Sequence, residues 1–169
     1  MLEINELVCA LYESAVRAEC RWSRPRHEGF DPGEEGCYRF FAAVSPADWQ
    51  RRDPIELQLH MHADGEDNSL SFAIPLAVEP HWNGFAVAAK AQNRLADADE
   101  DEGYAGEVSV QYRVNDEGVP ELEGVWVELS WEVDEWVRGD RPLTFDWAFE
   151  DLSKRIEALG DLVQNPVRE

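Results

Sequence analysis

The histidine pair His60 and His62 is the clearest candidate for chemistry in this sequence. Side chains two residues apart on a β-strand point to one face, so two imidazoles at this spacing can begin a zinc site. A catalytic zinc ion needs a third protein ligand, and the remaining histidines lie in segments of loop character. The strand face also carries Glu56 and Gln58, which is typical of a solvent-facing surface. We therefore predict no metal site, and a small metal-dependent hydrolase is the third hypothesis.

No other motif indicates catalysis or a cofactor. The three cysteines, Cys9, Cys20 and Cys37, have no metal-type spacing and no neighbouring histidine in sequence. A Gly-x-Ser-x-Gly motif, a phosphate-binding glycine loop and a dinucleotide fingerprint are all missing from the sequence. We expect a non-enzymatic protein without catalytic residues or a cofactor. The odd number of cysteines and the lack of an apolar leader or membrane span predict a cytoplasmic protein.

Net charge is the most unusual property of the chain, which has 36 acidic and 15 basic residues and a formal charge of −21. From Asp97 to Asp151 there are 18 acidic and 3 basic residues, a net charge of −15. Such a field repels phosphate backbones and anionic membranes and attracts basic surfaces. The charge predicts a basic protein as partner, and neither nucleic acid nor membrane. Solubility or salt adaptation is the competing explanation.

Hydrophobic periodicity predicts an α+β protein with the element order α-β-β-β-α-β-β-α. Strands that alternate apolar and polar residues bury one face, and three amphipathic helices can cover it. This predicts a single domain over 1–169, a two-layer sandwich whose antiparallel sheet has helices on one face. The predicted elements are a helix over 4–22, strands over 37–44, 54–63 and 69–78, a helix over 83–97, strands over 107–114 and 125–133, and a helix from Thr144.

Three segments are predicted to lie outside these elements. Residues 23–36 are rich in proline and glycine and are expected to form a loop. Residues 97–103 are expected to form an acidic linker within the domain, and residues 166–169 a tail after Pro166.

The element order resembles that of the YbjN family and the related fold of type III secretion chaperones. The resemblance is carried by 88–94, where Asn93 would occupy a characteristic position, by the two strands that follow, and by 143–146 with the final helix. It implies a homodimeric binding module without catalysis, in which chaperones of this fold hold an extended segment of a client protein. No site residue of the family is carried over.

A tryptophan on the polar phase of the last strand indicates a protein-binding surface. Trp126 alternates with Trp131 and shares its phase with acidic residues, and aromatic residues are enriched in interfaces. The alternative is that Trp126 is covered by a loop or helix of its own chain. The predicted surface, with the acidic residues of the preceding hairpin loop, comprises Trp126, Glu128, Ser130, Glu132, Glu117, Glu121 and Glu123.

These observations favour a chaperone-like module that binds a basic or extended segment of a partner protein. An open sheet with exposed aromatic residues also predicts a homodimer. The alternative function is an antitoxin, an immunity protein or an acidic nucleic-acid mimic, in which the stretch from Asp97 to Glu123 blocks a basic active site.

Overall fold

A six-stranded antiparallel sheet and three helices form the fold, and the computed structural model describes residues 4–28, 37–49, 53–62, 68–98, 106–133 and 144–163. The predicted α+β class is confirmed. In chain order the elements are α1 (Ile4–Arg17), β1 (Arg21–Glu28), β2 (Cys37–Ser45), β3 (Ile55–His62), β4 (Ser69–Pro75), α2 (Gly84–Ala98), β5 (Glu107–Val114), β6 (Pro120–Glu132), α3 (Asp146–Leu159) and a closing 3₁₀ turn (Gly160–Leu162).

The strands are ordered β1-β2-β3-β4-β6-β5, so β1 and β5 are the two edges. The prediction of a loop over 23–36 is wrong for residues 23–28, which belong to β1. This strand lacks the alternation that marks a strand in sequence because nearly all of its side chains are exposed. It accommodates Pro25 at a register shift between Ser23 and Arg26, where Arg24 has φ of 50°. Residues 29–36 lie outside the described residues.

The acidic linker predicted over 97–103 begins later than expected, because α2 continues to Ala98. Residues 99–103 and the predicted tail over 166–169 lie outside the described residues. The described chain forms two compact units, and the boundary between them passes within β4, β6 and α3. The first unit is drawn from Met1–Trp49, Pro54–Phe72 and Ser130–Leu152, and the second from Gln50–Asp53, Ala73–Leu129 and Ser153–Glu169. That the chain is one domain stays a prediction.

In the first unit, the apolar residues of neighbouring strands are in register on one face. Phe40 lies opposite Leu59, and Val44 lies opposite Ile55; all four are buried. On the same face, Phe72 of β4 packs edge-on against Phe149 of α3, with ring centroids 5.4 Å apart. Each fully buried side chain of this size contributes about 1.5–3 kcal/mol, so this face holds the unit together.

The second unit buries one face of β6 beneath α2. Val125 and Val127 are buried on the strand, and Ala91 and Leu95 on the helix. The first residue of α2 must be small, because a Cβ on Gly84 would lie 2.6 Å from side-chain atoms of Leu122 and Val110. Among the described helices, none combines the length and the apolar character that crossing a membrane requires.

Arg94 of α2 binds the C-terminal end of α3. Its Nη1 donates to the Leu159 carbonyl oxygen at 2.6 Å and to the Asp161 carboxylate. The last carbonyl groups of a helix have no partner within the helix, and a cation is favourable at this end of the helix dipole. The hydrogen bond from Arg94 and its charge lower the pKa of Asp161.

A buried serine joins α1 to the start of α3 in the first unit. Ser14 Oγ accepts a hydrogen bond from the Phe145 N–H at 3.0 Å, and Arg17 Nη2 donates to the same oxygen at 3.1 Å. Arg17 Nε also donates to the Asp146 carboxylate at 3.0 Å. The Thr144 hydroxyl accepts from the Asp146 N–H at 3.2 Å, as expected of a residue that caps a helix. These bonds give acceptors to two backbone N–H groups at the start of α3, where N–H groups have no partner within the helix.

Replacing Ser14 by alanine should lower the free energy of unfolding by about 1–3 kcal/mol, because the Phe145 N–H would be buried without an acceptor. Equilibrium denaturation in urea measures the change. Ser153→Ala is the matched control, since Ser153 is exposed on the same α3 helix and should change stability by less than about 0.5 kcal/mol. Equal effects of the two substitutions would contradict the role assigned to Ser14.

Acid should weaken the Arg17–Asp146 contact. Desolvation acts to raise the pKa of Asp146, but hydrogen bonds from Arg17, Ser14 and Thr144, with the Arg17 charge, outweigh it and lower the pKa. A carboxylate whose pKa is lower in the folded state stabilises the fold above its unfolded pKa of about 3.9, and this stabilisation is lost as the pH falls through the folded pKa.

The stability difference between wild type and Asp146→Asn should therefore be largest near neutral pH and shrink below pH ~3.9. Urea denaturation across the acid range measures it. The Arg17→Ala variant should lose the same contact, so the double variant should be less destabilised than the sum of the single variants. A difference that did not change with pH would show that the carboxylate charge contributes nothing here.

Candidate protein-binding surface

The hairpin of β5 and β6 presents one exposed face in the second unit. Glu107 lies opposite Glu128 in the strand register, and Ser109 lies opposite Trp126. We define the outer face as the exposed surface formed by the side chains of these four residues and of Gln111. On the opposite side of β6, Val125 and Val127 are buried, so the alternation predicted for this strand is confirmed.

Glu107 and Glu128 form an acidic pair directly across the two strands, and both side chains are exposed. Both carboxylates add negative charge to the outer face. A negatively charged surface attracts basic groups.

The indole of Trp126 lies over the backbone of its own strand. A Cβ built on Gly124 would lie 2.3, 2.5 and 2.8 Å from three carbons of the indole ring, so glycine is required for the ring to lie there. Trp126 is half-buried in consequence. Trp131, by contrast, packs edge-on against Phe72 and Trp147 of the first unit.

The loop between the strands, residues 115–119, is held by Asn115. Its Oδ1 accepts hydrogen bonds from the Glu117 N–H at 3.0 Å and the Val119 N–H at 2.9 Å. Gly118 has φ of 78°, a conformation that side chains with a Cβ rarely adopt, and its N–H donates to the Asn115 carbonyl oxygen. The loop is therefore a fixed turn that presents Asp116 and Glu117 at its exposed tip.

The seven predicted surface residues fall into three groups. Trp126 and Glu128 lie on the outer face, while Glu117 and Glu123 are exposed nearby in the second unit. Glu121 has a structural contact, because its carboxylate accepts from Asn115 Nδ2 at 3.0 Å and lies 3.7 Å from Arg113 Nη2. Ser130 and Glu132 continue along β6 within the first unit.

Sequence reasoning did not identify Glu107, Gly124 or Asn115. A glycine inside a strand is a signal of close approach by another group, and Gly124 two residues before a tryptophan was such a signal. Glu107 could not be paired with Glu128 from sequence, because the register shift between Gln111 and Tyr112 changes which residues are opposed.

His60 and His62 contact each other on β3, with ring centroids 4.7 Å apart, and both are half-buried. No group of three potential ligands among His, Cys, Asp and Glu occurs in the part of the chain that the structure describes. Burial, with a further contribution from the Asp48 charge, raises the pKa of the Cys20 thiol to about 11. Cys20 is therefore almost fully protonated at neutral pH and a poor nucleophile.

Substituting Gly124 by alanine should displace the indole of Trp126, because the new methyl group would occupy its place. In protein labelled with 5-fluorotryptophan, one ¹⁹F signal should move clearly, and it should be the signal that Trp126→Phe removes. Glu117→Ala is the control, since it shortens a side chain at the exposed tip of the loop and adds no atom near the ring. An unmoved Trp126 signal in Gly124→Ala would contradict the placement of the ring.

Comparison of the chain with protein-family models, with curated proteins and with solved structures gives no match. The geometry and charge of the outer face are therefore the basis for proposing what it binds.

Proposed function

We propose that the protein is a non-catalytic binding module whose outer face holds a basic, extended segment of a partner protein. The observation that carries this proposal is the indole of Trp126, held over Gly124 on the same face of the hairpin as the exposed carboxylates of Glu107 and Glu128. A face with an aromatic ring and exposed carboxylates combines an apolar contact with attraction for basic groups.

A lysine or arginine side chain suits this surface in two ways. One such charged group would be attracted by the exposed carboxylates of Glu107 and Glu128. A second one, further along the segment, would pack on the Trp126 indole, where a cation–π contact contributes about 0.5–1 kcal/mol. Affinity would come from the indole contact and selectivity from the carboxylates, and the wider negative field would accelerate encounter with a basic partner.

A second candidate function is an antitoxin, an immunity protein or an acidic mimic of nucleic acid. The observation in its favour is the fixed turn 115–119, which presents the exposed Asp116 and Glu117 without further ordering of the chain on binding. A pre-ordered acidic loop loses little conformational entropy when it enters a basic active site. Binding of this kind would require the loop tip rather than the outer face.

Other parts of the proposal depend on charge and on the sequence. Cytoplasmic location follows from cysteine usage, and exclusion of nucleic acid from the charge of −21. The YbjN-like and chaperone-like assignment stays a hypothesis, and Asn93, the residue that would mark it, is exposed on α2. A homodimer is likewise a prediction.

Charge reversal on the outer face tests the leading proposal. The probe is a short labelled peptide in which lysine and leucine are separated by glycine, and its association is followed by stopped flow. The double variant Glu107→Lys and Glu128→Lys should slow association about tenfold at low salt, because charges at a binding surface act mainly on encounter. Added salt should shrink this effect, since screening limits its reach to about 8 Å at physiological ionic strength.

The matched control is Glu19→Lys with Glu157→Lys, which makes the same change in net charge at exposed positions away from the hairpin. Trp126→Ala should mainly speed dissociation, since it removes a contact made only in the complex. If both double variants slowed association equally, the attraction would be a property of net charge, and the outer-face proposal would fail. Loss of binding with Glu117→Lys alone would favour the second candidate.

A further inference from the structure

We infer that β5 is the edge through which two copies of this chain pair, antiparallel and centred on Val110. The inference goes beyond the proposed function, because it uses the backbone of the open edge and shares with the outer face only the residues of β5. It does not depend on the basic partner of the proposed function. Four observations carry it: the contrast between the two edges, the direction of the backbone groups on β5, the order of charges along the strand, and the exposed apolar residues beside it.

The two edges of the sheet differ in their protection against pairing. β1 contains Pro25 and a register shift, and its side chains include Arg21, Arg24 and Arg26. Proline, bulges and charge are the devices by which edge strands avoid adding another strand. β5 has neither proline nor a charged residue over Val108–Tyr112, and its sequence Val-Ser-Val-Gln-Tyr favours a strand. At the register shift between Gln111 and Tyr112 the extra residue, Glu123, lies on β6, so the backbone of β5 itself is regular. One edge is blocked and the other is left competent to pair.

The backbone of β5 directs its hydrogen-bonding groups to the open side at alternate residues. In an antiparallel sheet, the N–H and C=O of one residue point to the same neighbouring strand. The Val125 carbonyl oxygen accepts from the Leu76 N–H at 2.9 Å, so Val125 of β6 points towards the β4 side. Val110 lies opposite Val125, so its own N–H and C=O point away from β6. Val108 and Tyr112 share this direction.

A second copy placed antiparallel about Val110 matches β5 residue for residue. Val110 then faces Val110, and the two can exchange both backbone hydrogen bonds. Val108 faces Tyr112 of the other copy, and Ser109 faces Gln111. Glu107 of each copy faces Arg113 of the other copy. The same opposite-charge contact therefore occurs at both ends of the pairing. The strand is complementary to itself in size, polarity and charge, as a two-fold interface requires.

Apolar residues that the described chain leaves uncovered lie along this edge. Tyr112 is 39% and Val114 69% exposed, and Phe85 of α2 is 69% exposed with its ring centroid 6.0 Å from that of Tyr112. Val108 and Val110 are half-buried on the same side of β5. A second copy would cover this group, and apolar contact would add to the backbone pairing.

Charge distinguishes a second copy from a basic segment as the occupant. Arg113 lies at the end of β5, 3.7 Å from the Glu121 carboxylate of its own hairpin, and its side chain is still 65% exposed. A uniformly basic strand would bring further positive charge to it. A second copy brings Glu107 to that position. The local pairing thus succeeds even though the net charge of −21 on each chain opposes association elsewhere.

Sedimentation equilibrium over the micromolar range tests the pairing, with Val110→Pro as the first variant. Proline removes an N–H that points to the open edge, so the dimer should weaken at least about tenfold. No β5–β6 hydrogen bond is lost, so the monomer should stay folded. Circular dichroism checks the fold. A wild-type chain that is monomeric up to about 100 µM, where even a weak specific dimer would form, would overturn the inference.

Charge exchange is the second test and does not depend on proline being tolerated. Glu107→Lys or Arg113→Glu alone puts like charges together at both ends of the pairing and should weaken the dimer about tenfold. Arg113→Glu also removes the contact with Glu121 of its own hairpin, so circular dichroism checks that this variant is folded. The double variant restores the opposite-charge contact and should recover the dimer to within about threefold of wild type. Glu117→Lys, in the loop outside the strand, should leave dimerisation unchanged. A double variant no better than the single ones would overturn the proposed register.

The lysine–leucine peptide separates this inference from the proposed function. Val110→Pro leaves the outer face intact, so a monomeric variant should still bind the peptide. Trp126→Ala leaves the edge intact and should still dimerise. A wild-type monomer that bound the peptide would contradict the β5 pairing alone, and a dimer that did not bind it would contradict the outer-face proposal alone.

Discussion

The Ser14 hydroxyl is the contact on which the first unit depends, because it lies fully buried between α1 and the first turn of α3. Buried backbone donors at a helix start must find acceptors, and here α1 supplies one. The same oxygen accepts from Arg17, which reaches on to Asp146. The entry of α3 is thereby fixed, and Phe149 is brought against Phe72 of the sheet. A single small polar side chain thus determines where a large apolar surface can pack.

The second unit uses a similar solution at the other end of α3, where Arg94 of α2 binds the Leu159 carbonyl oxygen. With α2 held against the sheet by the close approach at Gly84, one face of the β5–β6 hairpin is buried and the other is left open. On the other face, Gly124 lets the Trp126 indole lie over the backbone of β6. The shape of the candidate surface therefore follows from two glycines, one on each side of the hairpin, which permit contacts that any larger residue would prevent.

Acidic residues have unequal roles once their contacts are known. Glu121 and Asp146 bind arginines and hold the structure, whereas Glu107 and Glu128 lie exposed opposite each other on the outer face. The first two carboxylates stabilise the fold, and the second two give the candidate surface its negative charge. At the strand end, Glu107 is also positioned to meet Arg113 of a second copy. Net charge alone cannot separate these roles, because each depends on what the carboxylate faces.

Sequence periodicity by itself determined the α+β class, the presence of three helices, the buried phase of β6 and the cap of the last helix at Thr144, since those features depend on local patterns of burial and capping. It extended the first helix to residue 22, whereas α1 ends at Arg17. It could not find β1, whose exposed edge position removes the alternation on which strand prediction relies. It treated Glu121 as free because the Asn115 contact requires the folded turn. The opposed pair Glu107 and Glu128, and the Trp126 ring over Gly124, arise from strand register. Register is decided when distant segments pack together, so only the tertiary structure determined where the candidate surface lies.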